Sequence, residues 1–479
     1  MTGSEPAQPV FDALEGSMRD FRFLPGTDVL GRVAAFYDWQ QTRRAAGLWP
    51  LGRSTEQGAF SRCSARTDEG ALFQGVNFAS QDYLSLNSHP AILETAIEAM
   101  REFGVHSAGS PALVGNTSLS IELENKIASF LGYDHVALFP TGWAAGFGVI
   151  NGLVRPNDYI VMDALCHNCL QEGAKASTRN IHLFRHNQVE GARAKLAKIR
   201  ASDAENGILL VTESLFSMDS DTPDMRALQE LAHEYRATLM VDVAHDLGNL
   251  GPEGRGFIEV QGMLGKVDIV MGSFSKTFAS NGGFVAARGR SVKEYMRYYS
   301  SPNTFSNALS PASAAIVGKA FDIVASPEGA ALRGQLMANI KLLRSLLQGC
   351  GLEVYGDPSA IVCVKMGTEA LARLVSRRLP AHGMLANLVE FPAVPKGQAR
   401  FRLQVMAKHT QHDVLDAVHR LSTAVAEATD DLEALRSGST SLERLAVDRP
   451  LPQPCSAPAQ LSDALAEPVR ITASRSAAA

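Results

Sequence analysis

The stretch between residues 136 and 288 constrains the fold of this chain more than any other part. Seven short apolar runs, near 136–140, 159–163, 181–185, 207–213, 237–242, 267–272 and 283–288, alternate there with segments whose apolar residues recur at helical spacing. Runs apolar throughout are what strands buried on both faces look like, and strands that alternate with helices pair in parallel. The pattern predicts an α/β protein with a large, mostly parallel, seven-stranded sheet wrapped by helices. One crossover can be read directly. Thr222-Pro223 offers a cap and a first-turn proline, and Met225, Leu228, Leu231, Ala232 and Tyr235 follow on one helical face. Sheets of this kind place ligands at the carboxyl ends of their strands, so the residues ending each run are where chemistry is expected.

The run Val267-Asp268-Ile269-Val270-Met271-Gly272 delivers Ser273-Phe274-Ser275-Lys276-Thr277 into a small polar turn ahead of Gly282-Gly283-Phe284-Val285. Thirty-four residues upstream, Val241-Asp242-Val243-Ala244-His245 ends another run on an acid. A lysine and an acid so placed are two of four things that pyridoxal phosphate requires. It needs an amine for a Schiff base, a carboxylate to keep the ring nitrogen protonated, a group stacked on the ring, and donors for a phosphate dianion. Lys276 and Asp242 fill the first two roles. His167 can stack on the ring, and His245 can reach the phenolic oxygen. Thr141-Gly142-Trp143, a strand-to-helix turn, offers backbone amides to phosphate. Ser217, in Glu213-Ser214-Leu215-Phe216-Ser217-Met218-Asp219, also ends a strand. Each alone has a plainer reading: a turn-capping Asp, a satisfied core histidine, a routine small polar turn.

Composition narrows the partners. The chain carries 45 basic and 50 acidic residues, a net charge of -5, so no basic field gathers nucleic acid or anionic lipid. No stretch reaches about 18 consecutive apolar residues, and Met1-Thr2-Gly3-Ser4-Glu5 does not open a secretory signal, so no transmembrane segment and a cytoplasmic location are expected. Six cysteines lie scattered through the chain, a pattern of reduced thiols. Cys166-His167-Asn168-Cys169 suggests zinc, but no second Cys or His pair at suitable spacing completes a site, so no metal is expected.

Four segments are expected. Residues 1–75 form an N-terminal extension and arm whose aromatics, Phe21, Phe23, Phe36, Tyr37, Trp39 and Trp49, pack on the body or on a second subunit. Residues 76–325 form the large cofactor-binding domain. After Ser310-Pro311 an Ala/Leu-rich helical region leads to a smaller C-terminal α+β domain over 326–428, with strands near 352–355, 360–366 and 399–405. Residues 429–479, rich in Ala, Ser, Pro and charge, form a tail expected to be disordered beyond a last helix.

The order and spacing of these segments resemble the α-oxoamine synthase family of fold type I pyridoxal-phosphate enzymes, which includes serine palmitoyltransferase and aminooxononanoate synthase. The resemblance rests on Asn77-Phe78-Ala79-Ser80-Gln81-Asp82-Tyr83-Leu84, the block from Gly109-Ser110 to Gly115, Thr141-Gly142-Trp143, His167, Arg185-His186-Asn187, Glu213 to Asp219, Asp242 to His245, Gly251 to Gly256, Ser273 to Lys276, and Phe305 to Pro311. It spans roughly residues 75–425. It implies that Lys276 is the Schiff-base lysine, Asp242 the partner of the ring nitrogen, His167 the stacking histidine and His245 the partner of the phenolic oxygen. It places Ser217 and Ser273 near ring and phosphate, and Thr141, Gly142 and Trp143 in the phosphate turn. Ser306 would reach the phosphate of a neighbouring subunit, which implies a homodimer with shared active sites. Arg402, seven residues before His409, would hold the substrate carboxylate, a task suited to a bidentate guanidinium, with Gln81 near it.

Several positions depart from the family pattern. Val243 replaces a usual Glu, Asp246-Leu247 stand where Ser-Thr or Ser-Met are common, Pro111 replaces an Arg, and Gln81 a frequent Asn. These touch substrate identity rather than cofactor chemistry. The implied activity is a decarboxylative Claisen-type condensation of an amino acid with an acyl thioester, carried by coenzyme A or an acyl carrier protein, giving an α-amino ketone. Lys276 would take the Cα proton, and His167 would polarise the thioester carbonyl. Two competing readings are a fold type I aminotransferase and a non-catalytic partner subunit; Lys276 argues against the second, and the block Gly251 to Gly256 with the turn after Ser280-Asn281 against the first.

Overall fold

A computed structural model describes residues 12–448. Its fourteen strands, in chain order, are β1 (Ser54–Thr55), β2 (Arg62–Arg66), β3 (Leu72–Phe78), β4 (His135–Phe139), β5 (Tyr159–Asp163), β6 (Ile181–Phe184), β7 (Ile208–Glu213), β8 (Thr238–Asp242), β9 (Ile269–Ser273), β10 (Gly283–Ala287), β11 (Val354–Tyr355), β12 (Ile361–Gly367), β13 (Met384–Val389) and β14 (Ala399–Gln404). The seven runs of the sequence become β4 to β10, each within two residues of its expected bounds, in one sheet of order β4-β10-β9-β8-β7-β5-β6. Only β10 runs antiparallel to its neighbours. Side chains alternate between two buried faces: Leu210, Val241 and Val270 join the larger core cluster, and Val211, Met240 and Met271 the smaller. Burial on both faces explains why these strands read as continuous apolar runs.

The second sheet has the order β1-β2-β3-β13-β14-β12-β11. The three strands expected after residue 350 are β11, β12 and β14; the other four were not anticipated. β3 crosses the expected edge of the N-terminal arm and pairs in parallel with β13, Val76 opposite Met384, so the arm's end is an integral part of this sheet. The interrupted sequence of β2, Arg62-Cys63-Ser64-Ala65-Arg66, carries a weaker signal because only Cys63 and Ala65 face inward.

One local reading is corrected. The helix Met225–Glu234 is capped by Asp224, whose side chain accepts from Ala227 N, not by Thr222. Thr222 N instead donates to Asp357 Oδ2, which ties the turn to the second sheet. The helical region expected after Ser310-Pro311 does form, with Ser310 capping Pro311–Val324, and a second helix, Pro327–Gly349, follows with Ser326 as its cap. Among the N-terminal aromatics, Phe21, Phe36, Trp39 and Trp49 pack together, while Phe23 and Tyr37 remain exposed. The chain continues through Gln411–Arg436 and Leu442–Asp448; the disorder expected of the tail concerns residues outside those described. No helix among the described residues is long and apolar enough to cross a membrane.

Candidate active site

The carboxyl ends of the parallel strands bring together the residues that the sequence singles out. Asp242 ends β8 and lies opposite Glu213, the last residue of β7, so two carboxyl groups meet at adjacent strand ends. Both are buried, and desolvation raises both pKa values, Glu213 well above its ordinary range; His167 and Lys276 oppose the rise at Asp242. Lys276, three residues past the end of β9, has its pKa lowered by burial against the pull of Asp242. An amine so desolvated loses its proton more readily than one in water.

His167 caps the helix Asn168–Ser177, its Nδ1 accepting from Cys169 N at 3.2 Å. Its own backbone N–H donates to the Glu213 carboxylate. His167 is exposed, yet the protein around its ring still lowers its pKa, against the pull of Asp242. His245 is fully enclosed, with Nδ1 3.0 Å from the Tyr83 hydroxyl, and burial drives its pKa well down, so it is neutral at physiological pH. Asn249 fastens this turn to the lysine turn, since its Nδ2 donates to His245 O and to Thr277 Oγ1, each at 3.0 Å.

The turn after β4 meets the end of β9. A Cβ added to Gly142 would lie 2.3 Å from both Cβ and Oγ of Ser273, so only glycine lets the helix Gly142–Leu153 start this close. Thr141 Oγ1 accepts from Ala144 N at 3.0 Å, leaving the first-turn amides of Gly142 and Trp143 without helical partners. The Trp143 ring stacks on Phe147 at 5.2 Å, so this position offers the turn its amide. Ser273 Oγ lies 2.8 Å from Ser275 Oγ.

Arg402, on β14, donates from Nη1 to Ser217 O at 3.3 Å, and its buried Nε has no hydrogen-bond partner. Its charge is felt at Lys276, His167 and His245, which places it in the same cleft. Gln81 and Lys276 line one cavity of about 360 Å³. Ser306 makes no hydrogen bond with this group; its neighbour Phe305 is exposed. A free-ended amine, an acid whose charge reaches it, an exposed histidine, a glycine-tight turn with two spare amides and a guanidinium with an unpartnered Nε together fit pyridoxal phosphate and an amino acid.

Three members of the site were not singled out from the sequence. Tyr83 and Glu213 lay inside quoted motifs, and Glu213 could have been found as the one acid closing the apolar run Ile208-Leu209-Leu210-Val211. Asp246 is fully buried; Ser214 Oγ lies 2.5 Å from its Oδ1, and its Oδ2 accepts from Phe257 N at 2.7 Å. Burial pushes its pKa up to about 7.

The profile of the aminotransferase class I and II family matches residues 74–421, and the chain belongs to that family. Within it, the chain is a pyridoxal-phosphate enzyme of the α-oxoamine synthase type. It is 35% identical over 390 residues to an 8-amino-7-oxononanoate synthase of Geotalea daltonii, covering 81% of this chain and 97% of that one. It is 31% identical over 415 residues to the 4-hydroxy-2,2'-bipyrrole-5-methanol synthase PigH of a Serratia species, covering 86% of this chain but only 62% of that longer protein. A solved serine palmitoyltransferase with pyridoxal phosphate superposes with a TM-score of 0.78 at 26% identity, over 84% of this chain and 99% of its own. At family level the activity is condensation of an amino acid with an acyl thioester.

Proposed function

We propose that this chain condenses a small α-amino acid with an acyl thioester, on coenzyme A or an acyl carrier protein, with loss of carbon dioxide, to release an α-amino ketone. The observation that carries this reading is the meeting of Lys276, Asp242, His167, His245 and Arg402 in one cleft, where their charges shift one another. Lys276 would hold the cofactor covalently, and Thr141, Gly142, Trp143, Ser217 and Ser273 would line its ring and phosphate. Bound there, pyridoxal phosphate supplies an electron sink for the amino acid's Cα.

The protein's own groups do the rest. Arg402 grips the substrate carboxylate through the nitrogen that has no protein partner, with Gln81 beside it. Lys276 Nζ would take the Cα proton, which its lowered pKa favours. Asp242, on which His167 and Lys276 oppose the desolvation that raises its pKa, would stabilise positive charge on the ring nitrogen of a bound cofactor. His167, held through its backbone by Glu213, would lie against the cofactor ring and donate toward the thioester oxygen as charge develops there.

The proposal includes a homodimer with shared sites and a cytoplasmic setting. Leu113, Val114 and Phe305 are 82%, 90% and 85% exposed, and the loop bearing the first two is tied to the Phe305 segment through Ala308 N to Gly109 O and Ser110 Oγ to Thr304 O. Such an apolar surface around Ser306 suits a second copy. The five cysteines among the described residues are all free thiols, as a reducing compartment allows. The test is a panel of glycine, alanine and serine against short and long acyl thioesters. One pair should release free thiol and carbon dioxide in equal amounts; transfer of the amino group with no thiol released would overturn the reading in favour of an aminotransferase.

A further inference from the structure

Arg53 precedes β1, is half-buried, and differs from four of the buried arginines. Arg43, Arg373, Arg378 and Arg400 each meet a carboxylate. Arg53 donates no hydrogen bond to any described residue, its Nε is buried, and its guanidinium lies over the Phe73 ring, 5.8 Å from the centroid. Burial lowers its pKa to about 10, relieved only by the field of Asp68. That carboxylate is already taken, because Asp68 Oδ2 accepts from both Nε and Nη2 of Arg44 at 2.8 and 2.5 Å. A half-buried guanidinium that donates to no described residue keeps its donors for an anion.

Arg53 lines a cavity of about 270 Å³ whose wall mixes apolar Leu51, Ala65 and Leu385 with polar Asn77, Ser80 and Asn387. Ser80 also lines the Lys276 cavity, so the two spaces adjoin. Asn387 spends its Nδ2 on Ala79 O at 2.8 Å and leaves its Oδ1 for a ligand. Apolar walls punctuated by amide side chains suit a chain of methylenes and amides, and the guanidinium suits an anion at its end.

Resting on the condensation reading, we propose that Arg53 binds an anionic group, phosphate or carboxylate, of the acyl-thioester donor, whose chain passes Ser80 to reach Lys276. Arg402 then serves the amino acid and Arg53 the thioester, each through a guanidinium that keeps an unpartnered Nε. This makes Arg53 a determinant of donor choice rather than of the chemical step.

The probes are three inert thioethers titrated by calorimetry into the pyridoxal-phosphate-loaded enzyme: S-ethyl pantetheine, S-ethyl phosphopantetheine and S-carboxypropyl pantetheine. One of the charged compounds should bind at least about tenfold more tightly than the neutral one, and the one that does identifies the anion as carrier phosphate or acyl carboxylate. Arg53→Met should abolish that preference, Arg53→Lys should keep part of it, and both should keep the wild-type change in the visible band on adding amino acid. Equal binding of all three compounds to wild type, or a preference that survives in Arg53→Met, overturns the proposal. If Arg53→Met fails to hold cofactor, Arg53→Gln decides by the same titration. An enzyme that shows the preference but releases thiol with no amino acid would break the condensation reading and leave Arg53 as an anion site.

Discussion

Two regions of this molecule bury charge, and they handle it in opposite ways. Around Glu390, just past β13, Arg43 and Arg373 are each 1% exposed, and both reach the same carboxylate, Arg373 at 2.7 Å. Further donors meet Leu48 O, Leu14 O and Gly16 O, which binds the N-terminal segment to the second sheet, and only Arg43 Nε is left over. In the cleft of the first sheet, Glu213, Asp242, Asp246 and His245 are buried and Lys276 is half-buried, no ion pair joins them, and their pKa values are displaced by desolvation. Satisfied charge holds a structure together, whereas unsatisfied charge marks the place where a ligand completes it. The contrast yields a rule: removing a charge from the cleft should harm activity and spare stability, and removing one from the Glu390 knot should do the reverse.

The largest effect expected is at Lys276. Lys276→Ala should lower turnover by at least about 10³-fold and erase the visible band of bound cofactor, because both the covalent link and the Cα base are lost. In cofactor-free protein its denaturant midpoint should match or exceed wild type, since a desolvated amine has been removed. A variant that unfolds earlier in the cofactor-free form would place Lys276 among the structural charges and erase the distinction.

Next comes the opposite substitution. Glu390→Ala strands two buried guanidinium groups, and breaking a buried pair by removing one partner costs about 3–5 kcal/mol. The denaturant midpoint should drop accordingly while the turnover of the remaining folded protein stays within about twofold of wild type, comparing equal amounts of bound cofactor. A stable, inactive Glu390→Ala would mean that the knot is coupled to the cleft.

How much of this was legible depends on which interactions a sequence can display. β4 to β10 were readable because burial on both faces leaves an uninterrupted apolar run. Lys276, Asp242 and His167 could be picked out as candidates because their residue types, at or a few residues past strand ends, suit roles toward a cofactor. The pairing of β3 with β13, more than 300 residues apart in the chain, leaves no local trace. Thr222-Pro223 looked like a cap because the residue pair is right for one, but Asp224 sits closer to the first free amides and Thr222 is drawn away by Asp357. Asp246 was noticed only as a departure from a pattern. What it does depends on Ser214 and Phe257, contacts made across elements.

Asp246 gives the third test, because its environment states which protonation form the fold prefers. Ser214 Oγ lies 3.1 Å from Asp242 O and 2.5 Å from Asp246 Oδ1, two acceptors for one hydroxyl proton. A proton on Asp246 satisfies both, in keeping with a pKa pushed up to about 7. The folded value lies above the unfolded one of about 4, so between these pH values the native chain binds more protons and stability falls as pH rises. Three units correspond to at most about 4 kcal/mol. Asp246→Asn, whose amide mimics the protonated acid, should be the more stable form above pH ~7 and show a flatter profile from pH ~5 to ~8. Parallel profiles of denaturant midpoint for variant and wild type would show that Asp246 does not titrate there.

The smallest effect tests where the boundary between the two kinds of polar group runs. Thr141 lies in the cleft, at the turn expected to meet phosphate, so its position alone would class it with Lys276. Its Oγ1 is nevertheless engaged, accepting from Ala144 N at 3.0 Å to cap the helix Gly142–Leu153. Thr141→Ala should therefore behave as the loss of an N-cap and lower the stability of cofactor-free protein by about 1 kcal/mol, whereas Thr141→Ser should restore it. If Thr141→Ala leaves the cofactor-free midpoint unchanged and weakens only cofactor retention, the hydroxyl belongs with the groups held for the ligand, and partnership in the free protein would no longer separate structural from functional polar groups.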